Sequence, residues 1–202
     1  VRFDEAEIRS YKKLIPALRD FPNDIIVTID DDIHYHPNML YKLVRLHKQL
    51  PNAIIAHRVR KINLNAPYHK WKKYKWYNFI FKRHHLSYLS LQTGVGGVLY
   101  PPHSLKAEML NQELFTSIAP TMDDIWFWAA AVANGTKIVP VPFGYRKPQE
   151  LSKPNEISLR IINFRSGIDR NRVALENILE KSVGTSVMSV RNHDNKCLIY
   201  CI

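Results

Sequence analysis

Apolar positions open the chain on helical spacing. Ile8, Tyr11, Leu14, Ile15 and Leu18 recur every three or four residues between Glu5 and Arg19, and Phe21-Pro22-Asn23 closes the segment. Asp24-Ile-Ile-Val-Thr-Ile29 follows, β-branched and too short for a free-standing helix, and predicts a buried strand. A second helix is expected to open at Pro37, with Met39, Leu40, Leu43, Leu46 and Leu50 as its apolar stripe and Pro51-Asn52 as its stop. Residues 53–57 predict a second strand and 105–115 a helix. A further helix is expected to run to Ala133, with Thr121 as its N-cap. Residues 137–143 predict a strand kept to a sheet edge by Pro140 and Pro142, and 172–181 a short helix. From Ser182 onward the chain reads as loop. Helices and strands in alternation predict an α/β fold.

Length and composition narrow this to one main unit. A chain of 202 residues can bury one sizeable core, and its polarity rises after Tyr145. The expected division is a main unit over 1–150 and a helical or loose extension over 151–202. The longest apolar run, Ile125 to Ala133, is too short to cross a bilayer. The first residues are too charged for a signal peptide, and they read as the middle of a helix, which predicts a missing upstream piece. Cys197 and Cys201 are the only cysteines, which argues against a disulfide framework and for a reducing compartment.

Charge adds a partner class. The formal net charge is +11, and residues 33–107 hold thirteen Lys and Arg without one Asp or Glu. Such a stretch attracts phosphate-rich partners. Within 57–85, Tyr68, Trp71, Tyr74, Trp76, Tyr77, Phe79 and Phe81 are interleaved with lysines. The aromatics either meet an anionic surface or pack on the core and leave the lysines to water. No nucleic-acid motif is visible, so nucleic acid is not an expected partner.

Three segments carry candidate chemistry. Asp30, Asp31 and Asp32 end the first strand, and in an extended chain Asp30 and Asp32 point the same way. Like charges so placed suit a hard cation, Mn²⁺ or Mg²⁺, that itself holds phosphate oxygens, although a solvated turn is also rich in Asp. Gly94, Gly96 and Gly97 crowd three of seven glycines into four positions, as a ligand approach or a strand bulge requires. They match no phosphate loop. Asp123 and Asp124 at a helix start favour the macrodipole, or supply a general base.

Together, Thr28-Ile-Asp-Asp-Asp, Gly94-Val-Gly-Gly-Val-Leu-Tyr-Pro-Pro and Asp123-Asp-Ile-Trp-Phe-Trp resemble, in that order, GT-A-fold glycosyltransferases. The similarity is to small, family 2-like bacterial enzymes of polysaccharide loci and covers about residues 8 to 145. It implies a mixed sheet flanked by helices and lacking its N-terminal nucleotide-binding part. It implies a metal, Mn²⁺ or Mg²⁺, on Asp30 and Asp32 that holds the diphosphate of a nucleotide-sugar donor. Asp31 would face sugar or ribose, Gly96 and Gly97 would line donor and acceptor, and Asp123 or Asp124 would be the base. Lys12 or Lys13 is a candidate phosphate contact. The acceptor would be a saccharide or a lipid-linked sugar, which places the protein in the cytoplasm, peripheral on the inner face of the membrane.

Two other readings compete. Aspartyl phosphatases of the haloacid dehalogenase type also follow an apolar strand with Asp-x-Asp, but Ile33-His34 departs from their usual continuation. A non-catalytic module docking through 57–85 would tolerate neutralisation of Asp30 to Asp32.

Overall fold

The structure is a computed structural model that describes residues 7–75, 87–143, 149–150, 169–183, 189–193 and 196–200. Its centre is a four-stranded mixed sheet in the order β1 (Ile26–Thr28), β6 (Val98–Tyr100), β3 (Ile54–Ala56) and β7 (Ile138–Pro140). β6 runs antiparallel to both neighbours, with Thr28 and Ala56 each opposite Val98, whereas β3 and β7 are parallel. The expected strands after Asp24, at 53–57 and at 137–143 are therefore present, and the class is mixed α/β.

Strand alternation sorts the core into two layers. Ile54, Ala56, Val98, Tyr100 and Ile138 point to one face, Ile55, Leu99 and Val139 to the other. The second face is covered by α2 (Met39–His47), through Leu43 with Leu46 beside it. The first face packs on α4 (Asp123–Ala133), which is buried from Ile125 through Val132. A helix apolar all round belongs between layers. On its far side α5 (Arg170–Val183) adds Ala174, Leu175 and Ile178 to the same core, so the chain beyond residue 150 contributes to it.

Smaller strands flank this sheet. β2 (Ile33–His34) pairs with β8 (Gln149–Glu150), and β4 (Val59–Lys61) pairs with β5 (Ser90–Gln92). Arg60 also bridges to Lys73.

Four local expectations need correction. The first helix is a 3₁₀ turn, Arg9–Lys13, followed by α1 (Ile15–Asp20). Arg9 stands at φ +52° and Pro16 removes an N–H, so one continuous helix cannot form. The helix over 105–115 divides into a 3₁₀ turn, Ala107–Leu110, and α3 (Gln112–Ile118). The division falls at Asn111, whose side chain accepts the Leu114 N–H as an N-cap. Thr121 does not cap α4; Met122 holds that position without a side-chain bond. The tail is not all loop: β9 (Ser189–His193) and β10 (Lys196–Tyr200) form an antiparallel hairpin.

Candidate active site

The parallel strands β1, β3 and β7 end on one side of the sheet, where β6 begins. That is where an open α/β sheet gathers its ligand groups. Three chain-distant segments meet there with the N-terminal 3₁₀ turn.

The turn is held by Tyr11, which is fully buried and stacks on Phe115 at 4.2 Å between ring centroids. Its hydroxyl donates to the Ala119 carbonyl at 2.6 Å. With Tyr11 fixed, the eclipsed pair Ser10 and Lys13, three residues apart in a 3₁₀ helix, face α4 together. Ser10 Oγ donates to Asp123 Oδ1 at 2.9 Å, and Lys13 Nζ lies 2.8 Å from Asp123 Oδ2. Lys13 Nζ also lies 3.7 Å from Asp30 Oδ1. Burial alone would lower the Lys13 pKa, but Asp123, Asp124 and Asp30 outweigh it and hold it above its ordinary value. Lys12 points elsewhere and is exposed near Glu7, at 3.8 Å.

Asp30 is half-buried just beyond β1, and its backbone N–H donates to the Tyr35 hydroxyl at 2.9 Å. Burial raises its pKa, as do the Asp123 and Asp32 charges, while Lys13 opposes them. Asp31 and Asp32 are exposed.

The acidic pair divides into two environments. Asp123 is buried and tied to Ser10 and Lys13. Asp124 is more accessible, and its Oδ1 accepts the Gly94 N–H at 3.0 Å. Enclosure, and then the Asp123 charge, push its pKa up to about 7 against Lys13 and the Gly94 N–H. Gln92 Nε2 donates to the Asp124 carbonyl at 3.3 Å and fixes the start of α4 against β5.

The glycines are set by close approach. A Cβ on Gly94 would stand 2.4 Å from Lys13 Nζ. One on Gly96 would stand 2.7 Å from the Arg58 Cβ, and Gly97 has φ +84° beside Met39. His57, buried at the end of β3, has Nε2 3.0 Å from the Met39 carbonyl and donates its backbone N–H to Gly97.

The donor set agrees in chemistry with a hard divalent ion. β1 stops at Thr28, and Asp31 and Asp32 stand in a turn, so the extended, same-face arrangement expected of Asp30 and Asp32 is not the one found. The two carboxylates still lie close enough for their charges to interact. Among the described residues no cluster of three His, Cys, Asp or Glu forms a ready cage. The set fits an ion that completes its shell with phosphate oxygens and water.

The basic-aromatic segment separates by side chain. Trp71 is buried, with Nε1 donating to the Ala66 carbonyl at 2.8 Å. Tyr68 and Tyr74 are half-buried, and Arg60 lies 4.5 Å over the Tyr68 ring. Lys61, Lys70, Lys72, Lys73 and Lys75 are exposed. Aromatics up to residue 75 thus pack inward, leaving a basic outer surface. Trp76, Tyr77, Phe79 and Phe81 lie outside the described residues. Among those described, no helix is long and apolar enough to cross a membrane.

Sequence reasoning singled out Asp30, Asp123, Asp124 and Lys13 but missed Ser10, Tyr35 and Gln92. For Ser10 a signal existed, namely its three-residue spacing from Lys13. Comparisons with protein-family models, curated proteins and solved structures give no match.

Proposed function

We propose that the protein is a metal-dependent glycosyltransferase of GT-A type, acting in bacterial surface polysaccharide synthesis. It would move a sugar from a nucleotide-diphosphate donor to a saccharide or lipid-linked acceptor. The observation that carries the reading is the meeting of Asp30, Lys13, Gly94 and the Asp123–Asp124 pair at the carboxyl end of the parallel strands.

The roles follow from environment. Asp124, with a pKa near neutrality and one oxygen fixed by Gly94, suits a general base. It would take the acceptor hydroxyl proton as that oxygen attacks the anomeric carbon and the bond to the diphosphate breaks. Asp123, held by Ser10 and Lys13, is a positioning residue that also raises the pKa of Asp124. Asp30 and Asp32 would hold Mn²⁺ or Mg²⁺, which offsets charge on the leaving diphosphate. Asp31, Gly96 and Gly97 would border the donor. Of the two lysines, Lys13 is the better phosphate contact, because Lys12 faces away. The exposed lysines between 61 and 75 would rest on an anionic membrane carrying the acceptor, a peripheral cytoplasmic placement.

The test is calorimetric titration of UDP and GDP, with and without Mn²⁺, into the protein and an Asp30→Asn/Asp32→Asn variant. Metal-dependent binding that the variant loses is the expected result. Equal binding by both proteins, or none by either, would sink the reading.

A further inference from the structure

Lys13 places a positive charge beside the carboxylate on which a divalent ion would sit. Its ammonium is anchored on Asp123 at 2.8 Å and reaches Asp30 Oδ1 at 3.7 Å. Its single positive charge offsets part of the acidic group, since Asp30, Asp123 and Asp124 all act on it. An ion arriving on Asp30 meets a resident positive charge a few ångströms away, across a partly buried gap where screening is weak. An anion placed between the two cations reverses the sign of that interaction. A diphosphate oxygen is such an anion, and it satisfies the ammonium and the ion together.

Resting on the sugar-nucleotide reading above, we propose that Lys13 makes metal binding at Asp30 conditional on the diphosphate. In the free protein the ammonium keeps divalent ions off Asp30; with the nucleotide bound it becomes a phosphate contact. Metal and nucleotide therefore bind with positive coupling, and Lys13 is its source. Gly94 belongs to the device, because a Cβ there would stand 2.4 Å from Nζ and 3.4 Å from Asp124 Oδ1. The end of a lysine side chain can swing aside, so Gly94→Ala would shift the ammonium while conserving the charge.

The experiment is titration of Mn²⁺, followed by the electron paramagnetic resonance signal of the free ion, with and without UDP or GDP. The proteins are wild type, Lys13→Met, Gly94→Ala and Asp30→Asn/Asp32→Asn. For wild type we expect weak binding of Mn²⁺ alone, tightened about tenfold or more by the nucleotide. Lys13→Met should bind Mn²⁺ alone about tenfold more tightly and lose most of the enhancement. Gly94→Ala should move in the same direction by a smaller factor, and it carries the test if Lys13→Met does not fold. Nucleotide-dependent Mn²⁺ binding that Asp30→Asn/Asp32→Asn abolishes, but that Lys13→Met and Gly94→Ala leave at the wild-type factor, overturns this inference and spares the transferase reading. Absence of Mn²⁺ and nucleotide binding in every protein overturns both.

Discussion

Lys13 and Asp123 form an ion pair at 2.8 Å that ties the N-terminal 3₁₀ turn to the first turn of α4. Both side chains are largely covered, at 23% and 11% exposure. Removing one partner leaves an uncompensated charge in a poorly solvated place. Lys13→Met should therefore cost about 2–3 kcal/mol, below the full penalty for a deeply buried pair because solvent still reaches the ammonium. Adding Asp123→Asn should return part of the loss. Urea unfolding of the two single variants and the double variant measures the coupling, and strict additivity would argue against the pair.

Asp124 predicts a pH signature. Its pKa is about 7 in the folded protein, above the ordinary carboxyl value. Between about pH 4 and about pH 7 the unfolded chain has released this proton while the folded chain still binds it, so stability falls as pH rises through that window. Asp124→Asn keeps an acceptor for the Gly94 N–H and removes the titration. Its melting temperature should match wild type near pH 4 and exceed it by a margin that widens steadily to pH 8, reaching several degrees. A constant offset across pH would contradict the assignment. Transfer activity, once an acceptor is found, should climb through about pH 7 in wild type and be lost in the variant.

The glycines should rank by what surrounds them. At Gly96 an added Cβ meets the Arg58 Cβ at 2.7 Å and its backbone nitrogen at 2.8 Å, which cannot swing away. Gly96→Ala should cost about 3 kcal/mol, as overpacking does. Gly97→Ala combines φ +84° with the movable Met39 sulfur at 3.0 Å and should cost about 2 kcal/mol. Gly135→Ala meets nothing within 4 Å and bears only the conformational penalty of φ +72°, about 1 kcal/mol. Thermal melts that reverse this order would contradict the contacts.

The basic outer surface predicts salt-sensitive membrane attachment. Lys61, Lys70 and Lys72 are exposed, and each lysine near an anionic bilayer contributes about 1 kcal/mol. Replacing all three with Gln should release the protein from anionic liposomes at low salt, while neutral liposomes bind neither form. Sedimentation with liposomes across a salt series measures this. Wild-type protein that stays in solution with anionic liposomes would remove the membrane from the picture.

Layering was legible because periodicity encodes it. Ile54, Ile55 and Ala56 alternate between the two core layers, and α4 announces its burial by having no polar face after Asp124. Contacts between distant segments were less so. Nothing in the sequence ranks Lys13 over Lys12 until Arg9 and Pro16 break the helix and Tyr11 pins the resulting turn. Nor does it show that the two acids differ, since Asp123 is sequestered by Ser10 from far upstream. The hairpin of β9 and β10 escaped notice because polar residues obscure its alternation, although Asp194-Asn195 between the strands is turn chemistry.

The two borders of the central sheet differ in chemistry. On β7, the Lys137 carbonyl accepts from Ile54 and the Val141 N–H donates to Ala56, so the backbone groups of the alternate residues Ile138 and Pro140 point away from β3. Ile138 bridges to Ser87, and Pro140 has no N–H to offer. At the other border β1 has no further partner among the described residues, and Ile25 and Ile29 beside it are half exposed. Among the described residues, then, a further strand could be added to this sheet beside β1 but not beside β7. An incoming strand would meet backbone groups able to pair on β1 and a closed border on β7, so any pairing at this sheet would take place on one side.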